Sequence, residues 1–69
     1  MTSTELANII RKRREELSIT QKDLAEMSGV NLRSISNIES GVSNPSLEVL
    51  NKIAEILGLE IAIKVKAPL

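Results

Sequence analysis

The chain has no histidine and no cysteine, and its only aspartate is Asp23, three residues after Thr20. Serines are plentiful, but none has an obvious base to activate it. The three glycines are scattered turn markers rather than a phosphate-binding loop. These residue types argue against an enzyme and exclude disulfides, and they leave a zinc site without its usual ligands. Two places hold most of the remaining polar chemistry. One is the run Arg11-Lys12-Arg13-Arg14. The other is the cluster Asn31, Leu32, Arg33, Ser36 and Asn37.

Helical periodicity supplies the elements that must position these groups. Leu6, Ile9, Ile10, Arg13/Arg14 and Leu17 predict a first helix from about Thr4 to Leu17, with Thr4 as N-cap and Glu5 in its first turn. Thr20 and Asp23 have the spacing of a capping box and open a short helix, Gln21 to Met27, with Leu24 and Ala25 inward. Gly29 suits a left-handed C-cap and Val30 a buried plug in the turn. A third helix, about Asn31 to Glu39, turns Ile35 and Ile38 inward. Its outward side then carries Asn31, Leu32, Arg33, Ser36 and Asn37. Pro45 fits the first turn of a fourth helix, about Ser46 to Leu57, capped by Asn44 or Ser46. Leu47, Leu50, Ile53, Ala54 and Leu57 share its inner face, and Gly58 follows as C′. Helices this short must bury their apolar faces on one another. Two of them joined by a Gly turn form a helix-turn-helix pattern.

With 69 residues the chain makes one domain, 1–69, with a helical core over 4–59. The core must be aliphatic, because aromatic residues are absent. No apolar run is long enough to span a membrane, and no basic segment precedes an apolar one as in a signal peptide. A cytoplasmic location without membrane attachment is expected. Nine basic residues balance nine acidic ones, which argues against coating polyanions by bulk charge. The run Arg11 to Arg14 spreads around a helix and precedes Glu15 and Glu16, so it reads as a solvated helix face.

From Thr20 to Leu59 the chain resembles the Cro/cI-type (XRE-like) helix-turn-helix family. The matching residues are Thr20-Gln21, Leu24-Ala25, Gly29, Val30, Ser34-Ile35, Ile38-Glu39, Gly41 and Pro45-Ser46-Leu47. With the leading helix included, the likeness covers about residues 4 to 59. It implies an all-α, lambda-repressor-like domain of four to five helices that binds double-stranded DNA, with the third helix in the major groove. Asn31, Leu32, Arg33, Ser36 and Asn37 then fall at base edges. Arg can bond guanine O6 and N7, Asn can bond adenine N6 and N7, and Leu can meet a thymine methyl. Gln21 takes the family's backbone-clamping position, and Ser40, Ser43 and Asn44 lie where relatives meet phosphates. Unlike many relatives, this loop has no Lys or Arg, which implies weak binding per subunit and a shallow salt dependence. Arg14 and Glu39 match a pair that links the first helix to the end of the third in phage repressors. That pair positions the fold rather than touching DNA.

The tail alternates. Ile61, Ile63 and Val65 fall on one side, and Glu60, Ala62 and Lys64 on the other, which predicts a C-terminal β-strand over 60–66. With no second strand in the chain, its expected partner is the same strand of a second copy, antiparallel, in a homodimer. Centring on Ile63 pairs Glu60 with Lys66 and Ile61 with Val65. Centring on Ala62 is the alternative, and Pro68 stops further pairing. The leading function is a homodimeric repressor on a palindromic operator. The overall plan is also similar to HipB-type antitoxins, which implies a toxin protein as an alternative partner. A structural dimer without DNA binding is the third reading. No cofactor is implied.

Overall fold

Thr2, not Thr4, opens the first helix. In the computed structural model, which describes residues 1–67, helix α1 runs over Ser3–Glu16. Thr2 Oγ1 accepts the Glu5 N–H at 3.1 Å, and Glu5 Oε1 accepts the Thr2 N–H at 3.3 Å. The reciprocal box needs cap and acid three residues apart. Glu5 stands at that distance from Thr2 and directly beside Thr4. The inner stripe of α1 also differs from expectation. Ala7 and Ile10 are buried, whereas Ile9 and Leu17 are partly exposed. Ile9 lies about 100° around the helix from Ile10 and so leaves the stripe.

Helix α2 spans Gln21–Ser28 behind the expected box. Asp23 N–H donates to Thr20 Oγ1 at 3.0 Å, and Thr20 N–H donates to Asp23 Oδ2 at 2.9 Å. The Thr20 backbone bond, with a smaller effect from its side chain, holds the Asp23 carboxyl below the usual carboxylate range. A carboxyl more acidic when folded stabilises the fold fully above its ordinary pKa, and loses that effect as pH falls through the depressed folded value. Asp23→Ala should therefore lower the urea midpoint most near neutral pH. The gap to the parent chain should narrow as the pH is taken below about 4. Urea titrations of both forms at the two pH values measure this.

The turn from α1 to α2 places Ser18 at φ +56°, the only non-glycine residue with positive φ among the described residues. The left-handed region costs an L-residue about 1–2 kcal/mol, against about 0.4–1 kcal/mol for glycine's extra freedom when unfolded. Ser18→Gly is expected to stabilise by up to about 1 kcal/mol, seen as a higher urea midpoint at an unchanged slope.

Helix α3 spans Leu32–Glu39, with Asn31 as N-cap: Asn31 Oδ1 accepts the Arg33 N–H at 2.8 Å. Helix α4 spans Leu47–Leu57. Ser46 caps it and Pro45 precedes the cap, so the proline is not in the first helical turn. Leu47, the first helical residue, is exposed rather than inward, because the buried face begins a turn later. α3 packs against α1 and α2, and α4 closes on α2 and α1. Ile10, Leu24, Val30, Ile35, Ile38, Ile53 and Leu57 form the buried core.

The basic run is a solvated face only in part. Arg11 donates to the Glu39 carbonyl at 3.2 Å, at the end of α3. Arg13 donates to the Leu57 carbonyl at 2.7 Å, at the end of α4. Both guanidinium groups sit at the negative ends of helix dipoles and bond carbonyls that lack a partner in their own helix. Arg14 enters the interior, while Arg11 and Lys12 stay exposed.

No β-strand forms among the described residues. Leu59 N–H donates to Ala54 O at 2.9 Å and completes the helix end. Beyond it Ile63 and Val65 are 96% and 88% exposed. The strand expected over 60–66 is absent, since alternation cannot form a ladder without a second strand, and helices offer no edge. Pro68 lies outside the described residues.

Candidate nucleic-acid interface

α3 is divided by burial along its length. Ile35, Ile38 and Glu39 are buried, while Asn31, Leu32, Arg33, Ser36 and Asn37 are all exposed. The five residues expected outward therefore stand together on one face. Leu32 with Ser36, and Arg33 with Asn37, are neighbours one turn apart. Leu32 is an exposed apolar residue among polar ones. Arg33 has no ion pair among the described residues, and its five donors are uncommitted. Asn31 uses its side-chain oxygen as the cap, which leaves its amide N–H groups.

The inner end of α3 is fixed by an ion pair. Arg14 Nε and Nη2 donate to the two Glu39 carboxylate oxygens at 2.7 and 2.9 Å, and Nη1 donates to the Ile19 carbonyl at 2.9 Å. The side chains are 13% and 3% exposed. Hydrogen bonding to Glu39 raises the Arg14 pKa above its ordinary value, against the opposing effect of burial. An acid at the C-terminal end of a helix faces a dipole of the wrong sign. Arg14 offsets it on the side chain and Arg11 on the carbonyl of the same residue.

Gln21 joins this network. Its Nε2 donates to Glu39 Oε1 at 3.2 Å. One amide hydrogen is thus committed inside the fold, and the start of α2 is tied to the end of α3. Ser40 Oγ donates to the Asn37 carbonyl at 3.0 Å. Asn44 Oδ1 accepts from Ser3 Oγ at 2.6 Å, which ties the loop to the start of α1. Ser43 is half-buried in the same loop. Ser40, Ser43 and Asn44 follow the C-terminal end of α3, and Gln21 bonds Glu39 at that same end. Sequence reasoning passed over Lys22, an exposed cation beside Gln21 on the rim of a shallow depression that also includes Leu32. Its position in the first turn of α2 was the available signal.

A short capped helix, a glycine turn and a second helix with a buried inner side and a polar outer side define a helix-turn-helix domain. The chain belongs to the XRE-type helix-turn-helix family of DNA-binding transcription regulators. The helix-turn-helix family model matches residues 10–64. An uncharacterized HTH-type transcriptional regulator of Methanothermobacter thermautotrophicus is 42% identical over 55 residues, and the match covers 80% of each chain. One from Haemophilus influenzae is 44% identical over 50 residues, covering 72% of this chain and 51% of that relative. Among solved structures, a mutant of the restriction-modification controller protein C.Esp1396I superposes with a TM-score of 0.79 at 30% identity, over 87% of this chain and 80% of that one. This is a family of regulators rather than of enzymes. No described helix is long and apolar enough to cross a membrane.

Proposed function

We propose that the chain is a sequence-specific DNA-binding repressor that acts as a homodimer on a palindromic operator. α3 lies in the major groove, with Arg33, Asn37, Ser36, Asn31 and Leu32 at base edges. Gln21, Ser40, Ser43 and Asn44 meet phosphates, and Lys22 adds a cation at the N-terminal end of α2. The observation that carries this reading is the outer face of α3, polar and uncommitted on a helix whose other face and last residue are locked in place. Likeness to a controller protein favours a regulator over a toxin-binding antitoxin.

Selection from a random duplex pool, followed by fluorescence anisotropy at several salt concentrations, tests the proposal. A palindromic consensus with half-sites about one helical turn apart is expected. Arg33→Ala should cost about 1–3 kcal/mol on that site and relax preference at one position per half-site. Lys22→Ala should weaken all duplexes alike and reduce the salt slope by about 1 for each copy bound. Equal affinity for selected and random duplex at low salt would sink the reading.

A further inference from the structure

Three polar groups from three parts of the chain meet at the last residue of α3. Arg11 Nη1, reaching from α1, donates to the Glu39 carbonyl at 3.2 Å. Gln21 Nε2, from the start of α2, donates to Glu39 Oε1 at 3.2 Å. Ser40 follows Glu39 in the chain. Gln21 and Ser40 are among the groups proposed to meet phosphates, and Arg11 joins them from a helix with no other part in that contact. Its Nη2 donates to Asn8 Oδ1 on its own helix. Two of its five N–H donors are thus used, and three remain. Arg11 is exposed and has no acidic partner among the described residues.

The charge balance at this spot favours an anion. A helix C-terminus and a carboxylate would each repel a phosphate. Arg14, bonded to both Glu39 carboxylate oxygens, neutralises the carboxylate. Arg11 then leaves an excess of one positive charge at the surface. The residues that follow, Ser40 to Asn44, include no Lys or Arg. We propose that Arg11 supplies from α1 the cation that this loop lacks, binding a backbone phosphate of duplex DNA beside Ser40 and Gln21. The inference rests on the DNA-binding reading and adds a contact to it. Two hydrogen bonds hold the guanidinium in place before DNA arrives, so little side-chain freedom is lost on binding. Its free N–H groups suit two oxygens of one phosphate. The carbonyl bond and the phosphate contact use different N–H groups and coexist.

Fluorescence anisotropy of the full chain on selected and on random duplex, each over a range of salt, tests this. Arg11→Gln removes the charge and keeps an N–H for the Glu39 carbonyl. It should weaken binding to both duplexes on the order of tenfold for each copy bound at 0.1 M salt, and reduce the salt slope by about 0.9 for each copy. Arg11→Lys should restore most of that slope. Lys12→Gln removes an exposed charge about 100° further around α1 and should leave the slope unchanged. Neutralising phosphates one at a time as methylphosphonates should find one per half-site whose loss weakens the parent chain but not Arg11→Gln. A lower urea midpoint for Arg11→Gln with the parent's salt slope would make Arg11 a helix cap only, and overturns the proposal. An equal loss of slope in Lys12→Gln overturns it too, because the effect would then be one of bulk charge. A parent chain that binds selected and random duplex equally counts against the operator reading alone, since the Arg11 effect is read on random duplex as well. A parent chain that binds no duplex at low salt overturns both.

Discussion

Arg14→Ala is expected to destabilise the fold by about 3–5 kcal/mol, the cost of leaving a buried carboxylate without its partner. Glu39 would keep only the 3.2 Å bond from Gln21, at a side chain 3% exposed. The Ile19 carbonyl would lose its Arg14 donor as well. A domain of this size has a total stability of roughly 3–10 kcal/mol, so the variant should be largely unfolded at modest urea. Glu39→Ala should be similarly severe, because it leaves the guanidinium buried. The double variant Arg14→Met with Glu39→Leu should recover most of the loss, since apolar replacements of buried pairs are often neutral. Recovery should be incomplete, because Gln21 and the Ile19 carbonyl still lose partners. Urea unfolding followed by circular dichroism measures all three against the parent. Single variants within about 0.5 kcal/mol of the parent would mean that the pair behaves as a solvated one.

Ile35→Ala is expected to cost about 2–5 kcal/mol, and Ile35→Val about 0.5–1.5 kcal/mol. Ile35 is completely buried at the middle of the inner face of α3, among core residues from all four helices. The neighbours that surround it cannot collapse fully into the space, so a cavity penalty adds to the lost burial. Leu32→Ala, on the same helix but half-exposed, should stay within about 0.5 kcal/mol in stability. Its effect should appear in DNA affinity instead. The contrast separates the two sides of α3 by measurement, with stability on one side and binding on the other. Similar losses at both positions would place the outer face wrongly.

The four helices were legible because their signals are local. Apolar spacing, the Thr20–Asp23 box and Asn31 as cap all act within three or four residues; the box and the cap were found where expected, and the spacing located the helices while misplacing Ile9, Leu17 and Leu47. The outer face of α3 was legible for the same reason. Once Ile35 and Ile38 point inward, helical geometry fixes where Arg33 and Asn37 stand. The misreadings at Thr4 and Pro45 were also local, a choice between adjacent candidates for a cap. They moved helix ends by a residue without altering any face. The family resemblance supplied Arg14 with Glu39, and the structure adds that Gln21 bonds the same carboxylate.

What sequence by itself determined is which residues are helical and which of their sides are apolar, since the 3.6-residue period and the caps need no distant partner. Tertiary structure decided the use of the charges and of the tail. Arg11 and Arg13 bond carbonyls 28 and 44 residues away, so nothing near them in the chain marks them as helix caps rather than solvated groups. The alternation of Glu60 to Val65 is likewise a statement about side chains alone. A strand is made by hydrogen bonds to another backbone, and the helices of a single chain have none to offer.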